Sequence, residues 1–287
     1  MLDQLLTTFR LSAEIYNNAQ FCGHWHIEEH SEGLTCFHMV TVGQCIMSVP
    51  NHGDYKLNMG DLVIFPHEMP HTLKPCPNST ELSRNLNRFS PNEDKEGTAL
   101  LCGTLAFEHQ GFHHILNALP SVMIIEKHHA PWLPALVEQI RYEVLKENGG
   151  DRYILNRISE LLFVYGFRHY MQHQTNRGFL RIFMDTAFQN ALQAMQQQPE
   201  KNWSLESLAS LCHMSRTSFS VKFKQVSSMT VNEFFTWWRM QLAYDQLQQG
   251  KRITQVAPKV GYQSESSFSR AFKKCFGMSP SQIPLRK

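Results

Sequence analysis

The sequence predicts an α+β, multidomain chain: an all-β N-terminal block followed by a helical pair, then an all-α C-terminal domain holding two helix-turn-helix modules. Three observations predict it. The stretch Phe219-x3-Phe223-Lys224-x3-Ser228-Met229-Thr230 returns 49 residues later as Phe268-x3-Phe272-Lys273-x3-Gly277-Met278-Ser279. Short β-rich runs punctuated by Gly, Pro and Asn fill the region from Leu34 to Phe107. Charge divides the same way: residues 181–287 hold 14 Lys and Arg against 6 Asp and Glu, a net of +8, whereas residues 1–180 hold 13 against 19, a net of −6. At 287 residues and 42% hydrophobic content the chain can bury two cores.

In the first block, Leu34 to Val40, Gln44 to Val49, Asp61 to Phe65 and Ala99 to Phe107 read as strands. They are separated by Gly43, by Pro50-Asn51-His52-Gly53 and by Asn58-Met59-Gly60, which are turn compositions. Such a block closes as a sandwich or barrel. Lys74 to Gly97 reads as a polar, mobile loop. Leu133, Val137, Ile140 and Val144 then mark one helix, and Ile154, Ile158, Leu161, Leu162 and Tyr165 the next, with Asn148-Gly149-Gly150-Asp151 as the turn. This pair serves either as a dimer seam or as a cover for the sheet. His173 to Gly178 reads as a linker. The expected boundaries are 1–172 for the N-terminal domain, with its helical segment at about 131–172, then 173–180 for the linker and 181–287 for the C-terminal domain.

Upstream of each Phe pair stands a leader, Leu208-Ala209-x4-Met214-Ser215 and Val256-Ala257-x2-Val260-Gly261-Tyr262-x-Ser264. A short amphipathic helix, a tight turn and a second helix with Phe at i and i+4 on one stripe make a helix-turn-helix. Burial of Phe219 and Phe223 turns Arg216, Thr217, Ser220 and Val221 outward, flanked by Lys222 and Lys224. In the second copy Glu265, Ser266, Ser269 and Arg270 face out, flanked by Lys273 and Lys274. Short polar side chains admit a helix into a major groove, Arg bonds guanine and Lys neutralises phosphate. Base reading therefore falls to Thr217, Ser220 and Val221, and to Glu265, Ser266, Ser269 and Arg270. A pair of merely solvated helical hairpins would explain one copy, but not two in tandem with basic flanks. The +8 domain points to double-stranded DNA as partner, and the acidic first domain argues against general stickiness to nucleic acid.

On these residues the segment from about Arg181 to Lys287 resembles the DNA-binding domain of AraC/XylS-type transcription regulators. Arg239-x3-Ala243 and Val260-Gly261-Tyr262-x-Ser264-x2-Ser267-Phe268-Ser269-x2-Phe272-Lys273-x3-Gly277-x-Ser279-Pro280 carry the resemblance further. It implies promoter DNA and RNA polymerase as partners, and two recognition helices on one face joined by a rigid helix, here Val231 to Leu247. In that helix Phe234, Phe235, Trp238, Leu242 and Leu247 read as core rather than as stacking groups for bases. Three positions depart from the pattern: Pro258 inside the second scaffold helix, Ser228 where the family usually has Gly, and Ile283 where it often has an aromatic. A proline in a regular helix interior costs about 3 kcal/mol, so the second module is expected to be the less rigid one.

The first domain resembles a cupin-like sensor attached to one subgroup of these regulators. Gly60-x5-Pro66-x4-His71 has the spacing of the second cupin motif, with Glu68 in place of a usual Gly. Cys22-Gly23-x-Trp25, Phe37-His38-x-Val40-x2-Gly43 and Leu101-Cys102-Gly103 add to it, while Cys36 stands where cupins usually carry Glu. Fourteen of the fifteen histidines lie in the first 180 residues, with His24, His26, His30, His38, His67 and His71 as a group. Neutral imidazole is a common ligand, so a divalent metal held by His71 with His30, Cys36 or His38 is one candidate cofactor. The competing reading is histidines without metal. A thiol switch is the rival signal: the resemblance implies an oxidant-responsive pair at Cys22 and Cys102, which a barrel would have to bring close. A small-molecule effector is a third. A cupin-type metal-dependent enzyme is the alternative of a different class, and neither a full ligand set nor a Gly-Lys-Ser/Thr phosphate loop is present for it. The chain is thus expected to be a regulator rather than an enzyme, with activation and repression both open and a homodimer as one candidate assembly.

The N-terminus lacks an apolar segment with a cleavage site and no stretch approaches 18 apolar residues, so the expectation is a cytoplasmic protein with no membrane partner. The seven cysteines, odd in number, are then expected to be reduced.

Overall fold

The computed structural model describes residues 11–29, 34–67, 69–77, 87–89, 96–107, 113–116, 118–145, 150–173 and 179–283. Among the described residues two compact units emerge, one built from those between 11 and 107 and between 119 and 170, the other from 113–116, 118, 171–173 and 179–283.

The first unit is a two-sheet β structure with a helical pair. Its strands are β1 (Leu11–Cys22), β2 (Ile27–Glu29), β3 (Thr35–Val42), β4 (Gln44–Val49), β5 (Gly53–Asn58), β6 (Leu62–Phe65), β7 (His71–Pro75), β8 (Asn87–Phe89), β9 (Thr98–Phe107) and β10 (Met123–Ile125). A six-stranded sheet runs β10-β6-β3-β9-β1-β8 and a four-stranded sheet β2-β7-β4-β5. Every pairing between them is antiparallel. The four expected strands are present, Gln44–Val49 with its expected bounds and the other three with ends shifted by at most two residues. β1, the longest, escapes the β-rich criterion because Asn17-Asn18 interrupts its apolar alternation, at the point where its register with β9 shifts between Ile15 and Asn17. The expected loop from Lys74 to Gly97 is corrected at both described parts: β7 runs on to Pro75, and Asn87–Phe89 pairs with Gln20 to Cys22.

β3 is buried on both faces. Cys36, Val40, Leu100 and Cys102 meet Cys45, Met47, Leu57 and Leu73 of the other sheet in one core. The opposite face is covered by the helical pair, numbered after the short α1 (His113–Leu116) as α2 (Leu133–Leu145) and α3 (Asp151–His173). Phe163 meets Phe107 at 5.2 Å between ring centroids, and Asn156 Oδ1 accepts from the Ile15 amide at 3.1 Å. Gly166 brings α3 so close that a Cβ there would lie 2.9 Å from Ile64 and Ile125. Strands covered on both sides lose polar alternation, which is why β3 and β6 read as continuous apolar runs. The sheet-covering role of the helical pair is the one these contacts display.

The second unit is helical: α4 (Gln189–Gln197), α5 (Leu205–Leu211), α6 (Arg216–Ser227), α7 (Val231–Gln248), α8 (Ile253–Lys259) and α9 (Glu265–Phe276), with 3-10 turns at Phe179–Phe183, Thr186–Phe188 and Pro280–Gln282. The short α1 groups with this unit. Phe188 packs on Phe219 and Phe223, and Phe223 on Phe234 at 5.5 Å. Tyr244 of α7 packs on Phe272 and Phe276 in the second module. Phe234, Phe235, Trp238 and Leu247 are core, as expected, and Leu242 packs at the edge of the second module's cluster. No described helix is long and apolar enough to cross a membrane.

Candidate nucleic-acid interface and sensor site

The 49-residue repeat is a structural repeat. α6 and α9 are both twelve residues long, and their ends are displaced by the same 49 positions. Ser215 caps α6 by accepting from the Ser218 amide, and Ser264 caps α9 by accepting from the Ser267 amide. Both helices end in a left-handed residue, Ser228 (φ 62°) and Gly277 (φ 73°), whose amide returns to Lys224 or Lys273. The turn before each helix also repeats: Met214 N donates to Ala209 O and Tyr262 N to Ala257 O, both at 2.9 Å. Its left-handed residue is His213 in one copy and Gly261 in the other.

The outward face follows from this frame. Arg216, Thr217, Val221, Lys222 and Lys224 are exposed and Ser220 half-buried; Glu265, Ser266, Arg270, Lys273 and Lys274 are exposed and Ser269 half-buried. Val221 is 50% exposed, unusual for an apolar residue in a packed module. Arg216 pairs with Glu206 at 2.9 Å at the surface, where water screens the pair and a phosphate can displace it. Pro258 is the penultimate residue of α8 and exposed, so it forfeits one solvent-side bond rather than breaking a helix interior. Ile283 is buried in the second module's core, taking the aromatic's place.

Sequence reasoning did not foresee what Arg239 does. Its Nε donates to Pro199 O at 2.6 Å and its Nη2 to Lys201 O at 2.9 Å, while the guanidinium lies 4.0 Å from the Phe235 ring centre. The joining helix α7 is thereby tied to the connection between α4 and α5. Two intrahelical spacings, Phe235 to Arg239 and Arg239 to Ala243, are the only trace of this in the sequence.

In the β unit, Cys36 and His38 are two residues apart on β3 and so face the same side. His71 comes from β7 of the opposite sheet. The three side chains are buried and place one ligand atom each within 4.8 Å of the others. The Nε2 atoms of His38 and His71 are 2.6 Å apart. His71 Nδ1 lies 2.8 Å from the Met69 carbonyl and Phe65 stacks on its ring at 4.1 Å, which fixes the orientation. His38 Nδ1 is buried with no hydrogen-bond partner among the described residues. Burial first, and the neighbouring His71 second, hold the His38 pKa well below the ordinary value, so the imidazole is neutral. Of the histidines grouped by sequence, His24 and His26 are exposed, His67 is half-buried, and His30 and Glu68 lie outside the described residues.

Cys22 and Cys102 share a sheet but are not brought together. Cys102 is opposite Asn17 of β1, five residues along that strand from Cys22, which is opposite Asn87. At about 3.4 Å per residue the separation along β1 alone is roughly 17 Å, against a Cα span of about 7 Å for a disulfide. The expected closeness is therefore corrected by the register. Cys102 is in the core, where its Sγ accepts from Asn17 Nδ2 at 3.6 Å. Cys22 donates to the Glu96 carbonyl and lines a cavity of about 660 Å³ with Trp25, Lys74, Cys76 and Glu96.

Residues 1–172 match the family described as Cupin, and residues 208–285 the family described as Helix-turn-helix domain. A Haemophilus influenzae protein described as an uncharacterized HTH-type transcriptional regulator is 30% identical, over 98% of this chain and 97% of its own length. The RCS-specific HTH-type transcriptional activator RclR of Escherichia coli is 26% identical over 99% and 97%, and the HTH-type transcriptional regulator AlkR of Acinetobacter baylyi 28% over 97% of each. With the duplicated reading helices, the two-sheet domain ahead of them and relatives matched along nearly their whole length, the chain belongs to the AraC/XylS-type transcriptional regulators with an N-terminal cupin domain.

Proposed function

We propose that the chain regulates transcription by inserting α6 and α9 into successive major-groove segments of promoter DNA. The observation that carries this is the repeat of one capped twelve-residue helix, each copy presenting an outward polar and basic face. Thr217, Ser220 and Val221, and Glu265, Ser266, Ser269 and Arg270, read base edges; Arg216, Lys222, Lys224, Lys273 and Lys274 hold phosphates. Domain limits of 1–172, 173–180 and 181–287 divide sensing from reading.

RNA polymerase is the downstream partner, and the mode is activation, a reading supported by the printed name of RclR. Exposed Tyr153 (67%), Ile154 (39%) and Leu161 (48%) on α3 support a homodimer. The cavity beside Cys22 is the entry for an oxidant or small-molecule effector, with Cys22 rather than a Cys22–Cys102 pair as the reacting thiol. The protein acts in the cytoplasm and performs no catalysis of its own. Binding of the full chain to DNA upstream of its own gene tests this: log K should fall with log salt by several units, each neutralised phosphate contributing about 0.9. Salt-insensitive binding, or none, overturns it.

A further inference from the structure

We propose that Cys36, His38 and His71 form a zinc-type metal site between the two sheets of the cupin domain, with one thiolate and two imidazoles as ligands. Three features point to a metal rather than to a packed polar cluster. Two imidazoles from opposite sheets turn buried Nε2 atoms to each other 2.6 Å apart and share at most one proton there, a convergence of nitrogen donors that a cation can bridge. His38 also keeps a second buried nitrogen, Nδ1, without a hydrogen-bond partner among the described residues, where the ring proton can sit and leave Nε2 free to ligate. His71 directs its other nitrogen to the Met69 carbonyl, the outer-shell contact that fixes the tautomer of a ligating histidine.

The donor set selects the cation. A thiolate with two imidazoles suits borderline-soft, tetrahedral Zn(II), whereas magnesium and calcium require oxygen ligands. Opening the Nε2 pair by less than about 1 Å accommodates metal–nitrogen bonds of about 2.0–2.1 Å. Binding releases the Cys36 thiol proton to solvent, while the proton between the imidazoles moves to the far nitrogen of His38, so both rings ligate as neutral imidazoles. Three protein ligands leave a fourth coordination position. Because β3 supplies two ligands and β7 the third, the metal would cross-link the two sheets. Any role as the transcriptional signal rests on the proposed DNA reading; occupancy of the site does not.

The test uses the purified full chain stripped with a chelator and titrated with Co(II) as a spectroscopic stand-in. One equivalent should give thiolate-to-cobalt charge-transfer absorption, bleached by one equivalent of Zn(II). Cys36→Ser should abolish the band, His71→Gln and His38→Gln should weaken binding by roughly tenfold or more, and Cys22→Ser should leave it intact. Should Cys36→Ser fail to fold, X-ray absorption of the wild-type zinc form decides: one sulfur at about 2.3 Å and two imidazole nitrogens are expected. No band in the wild type, a band that survives Cys36→Ser, or a zinc shell without sulfur overturns the site. DNA affinity measured in the same preparations reports separately on the regulator.

Discussion

The Arg239 guanidinium occupies the space that any side chain at Gly261 would need. A Cβ built on Gly261 would lie 2.5 Å from Nη2 and 2.7 Å from Cζ, and 3.0 Å from the Glu200 carbonyl. Gly261 is also left-handed, at φ 82°. One contact thus joins three parts of the DNA-binding unit: the connection between α4 and α5, the joining helix, and the turn that aims α9. Gly261→Ala should cost about 2–3 kcal/mol, combining left-handed strain with displacement of Arg239. Urea denaturation would show it as a lower midpoint at unchanged slope; an unchanged midpoint would mean that Arg239 swings aside freely.

The first module allows the opposite experiment. Ser228 adopts the left-handed cap that Gly277 fills in the second copy. Ser228→Gly should therefore stabilise the protein by about 1 kcal/mol, read as a higher thermal midpoint. A drop would assign the Ser228 side chain a role that its exposure does not suggest.

Thr230 and Glu233 cap α7 reciprocally, the Thr230 hydroxyl accepting from the Glu233 amide and the Glu233 carboxylate accepting from the Thr230 amide at 2.8 Å. The Thr230 amide first, and the Thr230 hydroxyl donating to the same carboxylate at 2.8 Å second, lower the Glu233 pKa. A lowered folded pKa contributes stability above the free carboxyl value of about 4.3, and the contribution is lost as pH falls through the folded value. Wild type should exceed Glu233→Gln in stability at neutral pH, with the difference shrinking in acid. A pH-independent difference would remove ionisation from the account.

Burial pushes the Cys45 and Cys275 thiols up to about 12. At pH 8 their thiolate fraction is about one in ten thousand, so the native protein should leave both unmodified by an alkylating reagent. Mass spectrometry after a short exposure checks this. Rapid labelling of either would show that its helix or strand opens on that timescale.

The repeat made the helical unit legible. Phe spacing, Ser caps and outward residues are local properties, and their 49-residue period specifies both modules before any contact is seen. The β unit was legible where β-rich runs stand between turn residues, as at Gln44–Val49 and Leu62–Phe65. β1 was missed because polar Asn17-Asn18 breaks its apolar alternation where the register shifts, and β8 because three residues have no period. His71 could be identified from motif spacing, and Cys36-x-His38 has strand periodicity. Their meeting depends on how two sheets face each other, which sequence spacing does not encode. The same limit misplaced Cys102, whose partner is decided by register.

Arg270 offers a test of residue roles. If its guanidinium bonds guanine, Arg270→Ala should cost about 1–3 kcal/mol and relax preference at a single base pair across a set of singly substituted operators. Uniform weakening would reassign Arg270 to phosphate, in the company of Lys273, whose own loss should lower the salt slope by about one.

Two DNA-reading helices on a common face of one chain should show in hydroxyl-radical footprinting of the full chain on DNA upstream of its own gene. Each DNA-binding unit should protect two patches about 10 base pairs apart on one side of the duplex, and replacing Thr217 and Ser220 together by Ala should erase one patch while leaving the other. A single patch, or loss of both patches together from that double substitution, would contradict two independent reading helices.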